Sequence, residues 1–300
     1  MNGPPIVFDR KLLALRRARA LKAGASDFLL HHAAKDLIDR LAAVQRRFAT
    51  SADIGTPLPH VAEALARSGK ADRVLRVAPR FPDEANTLFD TVVGDEERLP
   101  LAPESLDLVV SALSLQFVND LPGVLAQIRR ALRPDGLFLA VFIGGETLRE
   151  LAESFALAES ELTGGASPRV APFVEVRTAG ALLQRAGFAL PVVDQDRLTV
   201  RYADPLALMR DLRAMGSANA LAERSRRPLR RDILIRAAAA YAGRFSDPDG
   251  RIRASFDLIS LSGWAPHESQ QKPLRPGSAK ARLADALAVP ERSAGEKAGG

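Results

Sequence analysis

The sequence predicts an α/β fold built on a doubly wound, mostly parallel sheet, and two observations carry that expectation. The first is an unbroken strand–helix–strand run from Leu106 to Gly145, and the second is the alternation of strand and helix candidates on both sides of it. Leu106 to Leu113 is almost wholly apolar, as expected of a strand covered on both faces of a parallel sheet. Leu121, Val124, Leu125, Ile128 and Leu132 recur at helical spacing, with Arg129, Arg130 and Arg133 near the end where the helix dipole favours cations. Pro134, Asp135 and Gly136 break that helix, and Leu137 to Ile143 is apolar again, which completes a right-handed βαβ unit.

The remaining elements follow in order. Asp27 to Phe48 reads as an amphipathic helix with Leu29, Leu30, Ala33, Leu37, Leu41 and Val44 on one face. Strand candidates are Thr50 to Gly55, Arg73 to Val77 and Thr91 to Val93, with a helix at Val61 to Ala66 between the first two. Helices are expected at Thr147 to Leu162 and Arg177 to Ala186. Val192–Val193 and Leu198–Tyr202 look like an antiparallel pair turning at Asp194 to Asp196. Two further helices, Leu206 to Met215 and Leu229 to Phe245, precede a last strand at Ile252 to Leu261. The chain divides into a helical N-terminal region covering the sheet (1–48), a core (49–204), a helical insertion with the final strand (205–265) and a basic tail (266–300) rich in proline.

Composition narrows the chemistry. The 300 residues are 47% hydrophobic and 26% charged, enough for one large α/β domain with additions. No cysteine is present, which excludes disulfides, thiolate metal sites and a cysteine nucleophile. His31, His32, His60 and His267 show no metal-ligand spacing, because neighbouring residues of a helix face different ways, and no metal is expected. No stretch reaches the roughly 20 apolar residues of a spanning helix or forms a signal peptide, so a cytoplasmic location is expected. The net charge of +6 is uneven: residues 1–50 carry +6, 51–223 carry −7 and 224–300 carry +7. Basic flanks suit an acidic protein partner or peripheral contact with an anionic membrane, or are simply solvated. One Trp, two Tyr and no nucleic-acid signature argue against a nucleic-acid module.

The segment DLVVSALSLQFVNDLPGVLAQIRRALRPDGLFL resembles the fourth-to-fifth-strand region of class I methyltransferases, which use S-adenosylmethionine (SAM). Together with FDRKLLALRRARA near the start and GWAPHESQQKPLRPGSAKARLADAL near the end, it is most similar to relatives of the mitochondrial complex I assembly factor with arginine hydroxylase activity. The resemblance implies a seven-stranded Rossmann-like methyltransferase sheet and an enzyme that modifies an arginine of a complex I subunit. A non-catalytic assembly scaffold and a small-molecule O-methyltransferase are the alternatives.

In such a fold Asp53 and Gly55 match the turn that lets the backbone approach the methionine part of SAM. Pro57 and Pro59 stand where further glycines are usual, and they stiffen the loop and remove donors. The strand-two acid that holds the ribose is replaced by Ala78 and Pro79, leaving Asp83 or Glu84 as substitutes. Asp95, with Glu96 beside it, is carried over as the adenine contact; the alternative is a solvated acidic turn. Ser111 and Leu113 lie at the carboxyl edge where ligands of open α/β sheets bind. Phe117 either walls a substrate pocket or belongs to the core. The stretch from Ser262 to Ser278 reads as a lid or partner-docking loop in which Trp264 anchors and His267 or Glu268 moves a proton, or as a packed structural tail.

Overall fold

The computed structural model describes residues 5–80, 86–271, 289 and 290; Asp83 and Glu84 lie outside them. Seven strands form one sheet: β1 (Phe48–Ile54), β2 (Ala71–Ala78), β3 (Asp90–Val93), β4 (Leu106–Ala112), β5 (Leu132–Gly144), β6 (Ala189–Tyr202) and β7 (Ile252–Trp264). Their order is β3-β2-β1-β4-β5-β7-β6, with β7 antiparallel to both neighbours and the remaining pairs parallel. The order reverses between β1 and β4, so the crevice at their carboxyl ends is the ligand position of such sheets.

Among the described residues eight α-helices accompany the sheet: α1 (Arg10–Lys22), α2 (Phe28–Ala42), α3 (His60–Arg67), α4 (Leu121–Ala131), α5 (Arg149–Thr163), α6 (Val176–Arg185), α7 (Pro205–Ala214) and α8 (Arg231–Phe245). Strand β4 is apolar apart from Asp107 and Ser111 because both of its faces are covered. Leu108, Val110 and Ala112 enter a core shared with α2, α3, α5, α7 and α8, while Leu106 and Val109 enter a second core under α4 and α6. Helix α4 begins at Asp120, whose carboxylate accepts the Gly123 amide at 2.8 Å, with proline in its first turn.

Two expectations are corrected. The stretch 189–202 is one continuous strand, not a turned pair, because β7 supplies a partner along its whole length. Its polar centre, Asp194 to Asp196, suits an edge strand open to water on one side. The final strand also extends three residues further than its polarity suggests: Ser262, Gly263 and Trp264 pair with Leu139, Phe138 and Leu137. Residues 1–266 form one compact unit and 267–300 a second. Among the described residues no helix is long and apolar enough to cross a membrane.

Candidate functional site

The carboxyl end of β1 turns sharply at Gly55, whose φ of +69° is the left-handed conformation that glycine adopts without strain. Its amide donates to the Val77 carbonyl at 2.9 Å, holding the turn against β2. Thr56 directs its hydroxyl to the Asp53 carboxylate and accepts the Ala112 amide at 3.1 Å, linking the turn to β4. Arg76 on β2 braces the proline loop from beneath, donating to the carbonyls of Thr56 at 3.0 Å and Pro57 at 3.4 Å. A loop poor in donors is thus stabilised through its acceptors. Asp53 is fully buried, and burial pushes its carboxyl up to about 6 against the opposing pull of the Thr56 hydroxyl and Arg76.

The acidic turn after β3 faces this loop. Gly94 starts it, and Pro100 and Val77 pack where its side chain would be. Asp95 points outward and pairs with Arg10 Nη2 at 2.6 Å, while Glu96 turns inward and is buried. Glu96 receives Arg10 at 2.7 Å, Arg17 at 3.7 Å and the Ser114 hydroxyl at 2.8 Å. Burial raises its carboxyl, but the two guanidinium groups outweigh that and hold it below the ordinary value. Helix α1, which supplies both arginines, closes a cleft of about 330 Å3 whose walls include Gly55, Pro57, Arg76 and Glu96. Glu96, not Asp95, is therefore the acid facing the cleft. Ala78, Pro79 and Arg80 also line it, so among the described residues β2 offers no acid for a ribose there.

The other expected residues separate into distinct places. Ser111 is buried and donates to the Ile54 carbonyl at 2.8 Å, so it ties β4 to β1 rather than lining the cleft. Leu113 has a φ of +49° and borders a narrow hollow, about 70 Å3, with Arg17, Pro57 and Gln116. Gln116 donates to the Leu113 carbonyl at 2.9 Å and also lines a larger cavity of about 350 Å3. Phe117 lines that larger cavity. It packs edge-on against Phe8 with ring centroids 5.6 Å apart, and the Arg17 guanidinium lies 5.3 Å from its ring centre. The same ring also joins a small buried cluster with Leu13, Ala220 and Leu221. Among the described residues, the wall of the large cavity carries Arg16, Arg169 and Arg213 and no carboxylate. Glu159 neutralises Arg169.

Trp264 is not a lid over this edge. It pairs with Leu137 at the start of β5, at the end of the sheet opposite the Gly55 turn, and packs against the core under α2 and α8. A β-strand register that runs antiparallel to β5 carries it away from the cleft. His267 and Glu268 are exposed and belong to the second unit, where His267 Nδ1 lies 2.6 Å from the Ser269 hydroxyl. The rest of the stretch singled out there, from residue 272, lies outside the described residues.

Sequence reasoning missed Arg10, Arg17 and Arg76. Among the described residues, buried Arg17 Nη2, Asp53 Oδ2, Arg76 Nε and Gln116 Oε1 all lack a hydrogen-bond partner. Unsatisfied buried polar atoms are rare, and two of these, on Arg17 and Arg76, belong to residues that line the cleft beneath α1, which marks it as a place for a polar ligand. The available signal was the density of arginine between residues 10 and 19, which reads equally well as a solvated helix.

Comparison with known proteins now decides the family. Residues 53–140, from the end of β1 into β5, match a methyltransferase domain family. Over 93% of this chain and 89% of the relative, the sequence is 37% identical to the mitochondrial arginine-hydroxylase NDUFAF5 of Danio rerio. The chain belongs to the arginine-hydroxylase NDUFAF5 family. The Homo sapiens member is 37% identical over 91% of this chain and 81% of its own length, so the NDUFAF5 likeness extends well beyond residues 53–140. A malonyl-[acyl-carrier protein] O-methyltransferase of Xylella fastidiosa is 41% identical, but over 58% of this chain and 57% of its own. A solved Bacillus halodurans structure described as a methyltransferase superposes with a TM-score of 0.53 at 16% identity, covering 78% of this chain and all of the other. The sheet order therefore belongs to a Rossmann-like methyltransferase fold.

Proposed function

We propose that this NDUFAF5 relative binds SAM in the cleft beneath α1 and modifies an arginine of a protein substrate, a respiratory complex I subunit in the reading its sequence resemblance implies. The observation that carries the cofactor half is the buried Arg17 guanidinium, with one unpartnered nitrogen, beside the Gly55 turn. The residues fit SAM at two of three points. Arg17 would take the carboxylate of its methionine part, the Gly55 turn admits that part close to the backbone, and Glu96 faces the adenosine end. Among the described residues the ribose lacks its usual acid beside Ala78 and Pro79.

When bound, SAM supplies a methyl group on a positively charged sulfur. Gln116 lines both the larger cavity and the hollow beside Leu113, and its free Oε1 would orient a substrate donor arriving from the larger one. Phe117 and Phe8 would exclude water from that side.

A second reading has its own support. Without a carboxylate among the described residues of its wall, the larger cavity is a poor host for a guanidinium, whereas Arg16 and Arg213 suit an anionic group. O-methylation of a carboxylate, the kind of reaction the name of the malonyl-[acyl-carrier protein] relative denotes, would use that charge and need no base. Intact-mass analysis of the complex I subunits from cells with and without the protein separates the readings. Loss of one oxygen on deletion supports arginine hydroxylation and loss of one methylene supports methylation of the subunit. Unchanged masses overturn the protein-substrate reading.

A further inference from the structure

We propose that Asp27, His31 and His60 form a binding site for one divalent transition-metal ion where the N-termini of α2 and α3 meet. Each residue offers one ligand atom, and the three atoms lie within 4.8 Å of one another. His60 Nε2 is 2.8 Å from Asp27 Oδ2, and His31 Nδ1 is 3.4 Å from the same oxygen. The two imidazole rings stack with centroids 4.3 Å apart and planes tilted by 37°. Ligand bonds of about 2.0 to 2.2 Å are reached by small side-chain rotations from this spacing.

The local structure explains the juxtaposition. Asp27 occupies the N-cap of α2, where an aspartate ordinarily accepts a helix amide, yet its side chain makes no capping bond. Its carboxylate turns instead to the two histidines. His31 follows one turn later on the same face, and His60 is the first residue of α3. His32, on the neighbouring face, points away towards Asp196, 3.9 Å off. The sequence does not reveal this juxtaposition, because the rest of α2 and the whole of β1 separate His31 from His60 and no spacing rule reaches across them.

The donor set decides the ion. Two imidazole nitrogens and one carboxylate oxygen suit Zn2+, Co2+, Ni2+ or Fe2+ rather than Mg2+ or Ca2+, which prefer oxygen alone. Three protein ligands leave at least one coordination position for water, as in an open site rather than a closed structural one. The position matters as well. Pro59, directly before His60, lines the cleft beneath α1, and Ala25 and Ser26, directly before Asp27, line the adjoining hollow. A bound ion would pin the loop that follows Gly55 to the start of α2.

The site stands independently of the SAM reading, so its test uses metal alone. Full-length protein stripped with a chelator is titrated with Co2+, followed by visible absorption, and then with Zn2+ as competitor. One Co2+ per chain is expected, displaced by Zn2+, with affinity falling at least about tenfold in His31→Ala and in His60→Ala. His32→Ala should bind as the unmodified protein does. His31 is exposed, so its replacement does not threaten the fold, and thermal melting of each variant confirms it. Absence of Co2+ binding, or binding of undiminished affinity in both His31→Ala and His60→Ala, overturns the proposal.

Discussion

Gly55→Ala is expected to lose SAM binding and to destabilise the protein by roughly 2 to 5 kcal/mol. About 1 to 2 kcal/mol comes from forcing a Cβ into a φ of +69°, and overpacking adds about 1 to 3 kcal/mol more. The added carbon would lie 2.4 Å from both Glu96 Cγ and Ser114 Oγ, side chains that are themselves buried and cannot retreat to solvent. The turn or the acidic side chain must shift, and either movement deforms the cleft. Urea denaturation gives the stability change, and calorimetry on the variant below its melting range gives the loss of binding.

Glu96→Gln is expected to cost roughly 3 to 5 kcal/mol, because it leaves the largely buried Arg17 without its anion and Arg10 with Asp95 alone. The effect carries a pH signature. The Glu96 carboxyl lies below its ordinary value in the folded state, so its contribution is fully present above that ordinary value and is lost as pH falls through the lower folded one. The stability gap between unmodified protein and variant should therefore be constant at neutral pH and shrink in acid below the usual glutamate range. A gap independent of pH down to the acid transition would show that Glu96 acts through packing rather than charge.

Much of the fold was legible because its signals are local. The apolar run at Leu106 to Leu113, the helical spacing from Leu121 and the break at Pro134 to Gly136 each follow from neighbouring residues. The single long β6 was not legible, since Asp194 to Asp196 looks like a turn until β7 is known to lie beside it. Trp264 was misplaced for the same reason: a polar sequence around one aromatic does not show which end of a sheet it occupies. At the site, Asp53 and Gly55 could be read from a turn pattern, whereas Arg17 and Glu96 meet across 79 positions of chain. Asp95 and Glu96 are adjacent, and only the direction of Arg10 and Arg17 from α1 decides which of them turns inward.

The central claim is that the cleft between α1 and the Gly55 turn holds SAM through Arg17. Isothermal titration of the unmodified protein and of Arg17→Met with SAM and with its demethylated product tests it directly. Loss of a charge-assisted hydrogen bond worth about 1.5 to 3 kcal/mol predicts one site per chain in the unmodified protein and an affinity about tenfold to a hundredfold weaker in Arg17→Met. No binding of either ligand to the unmodified protein at millimolar concentration, or equal affinity in the folded variant, would contradict the account.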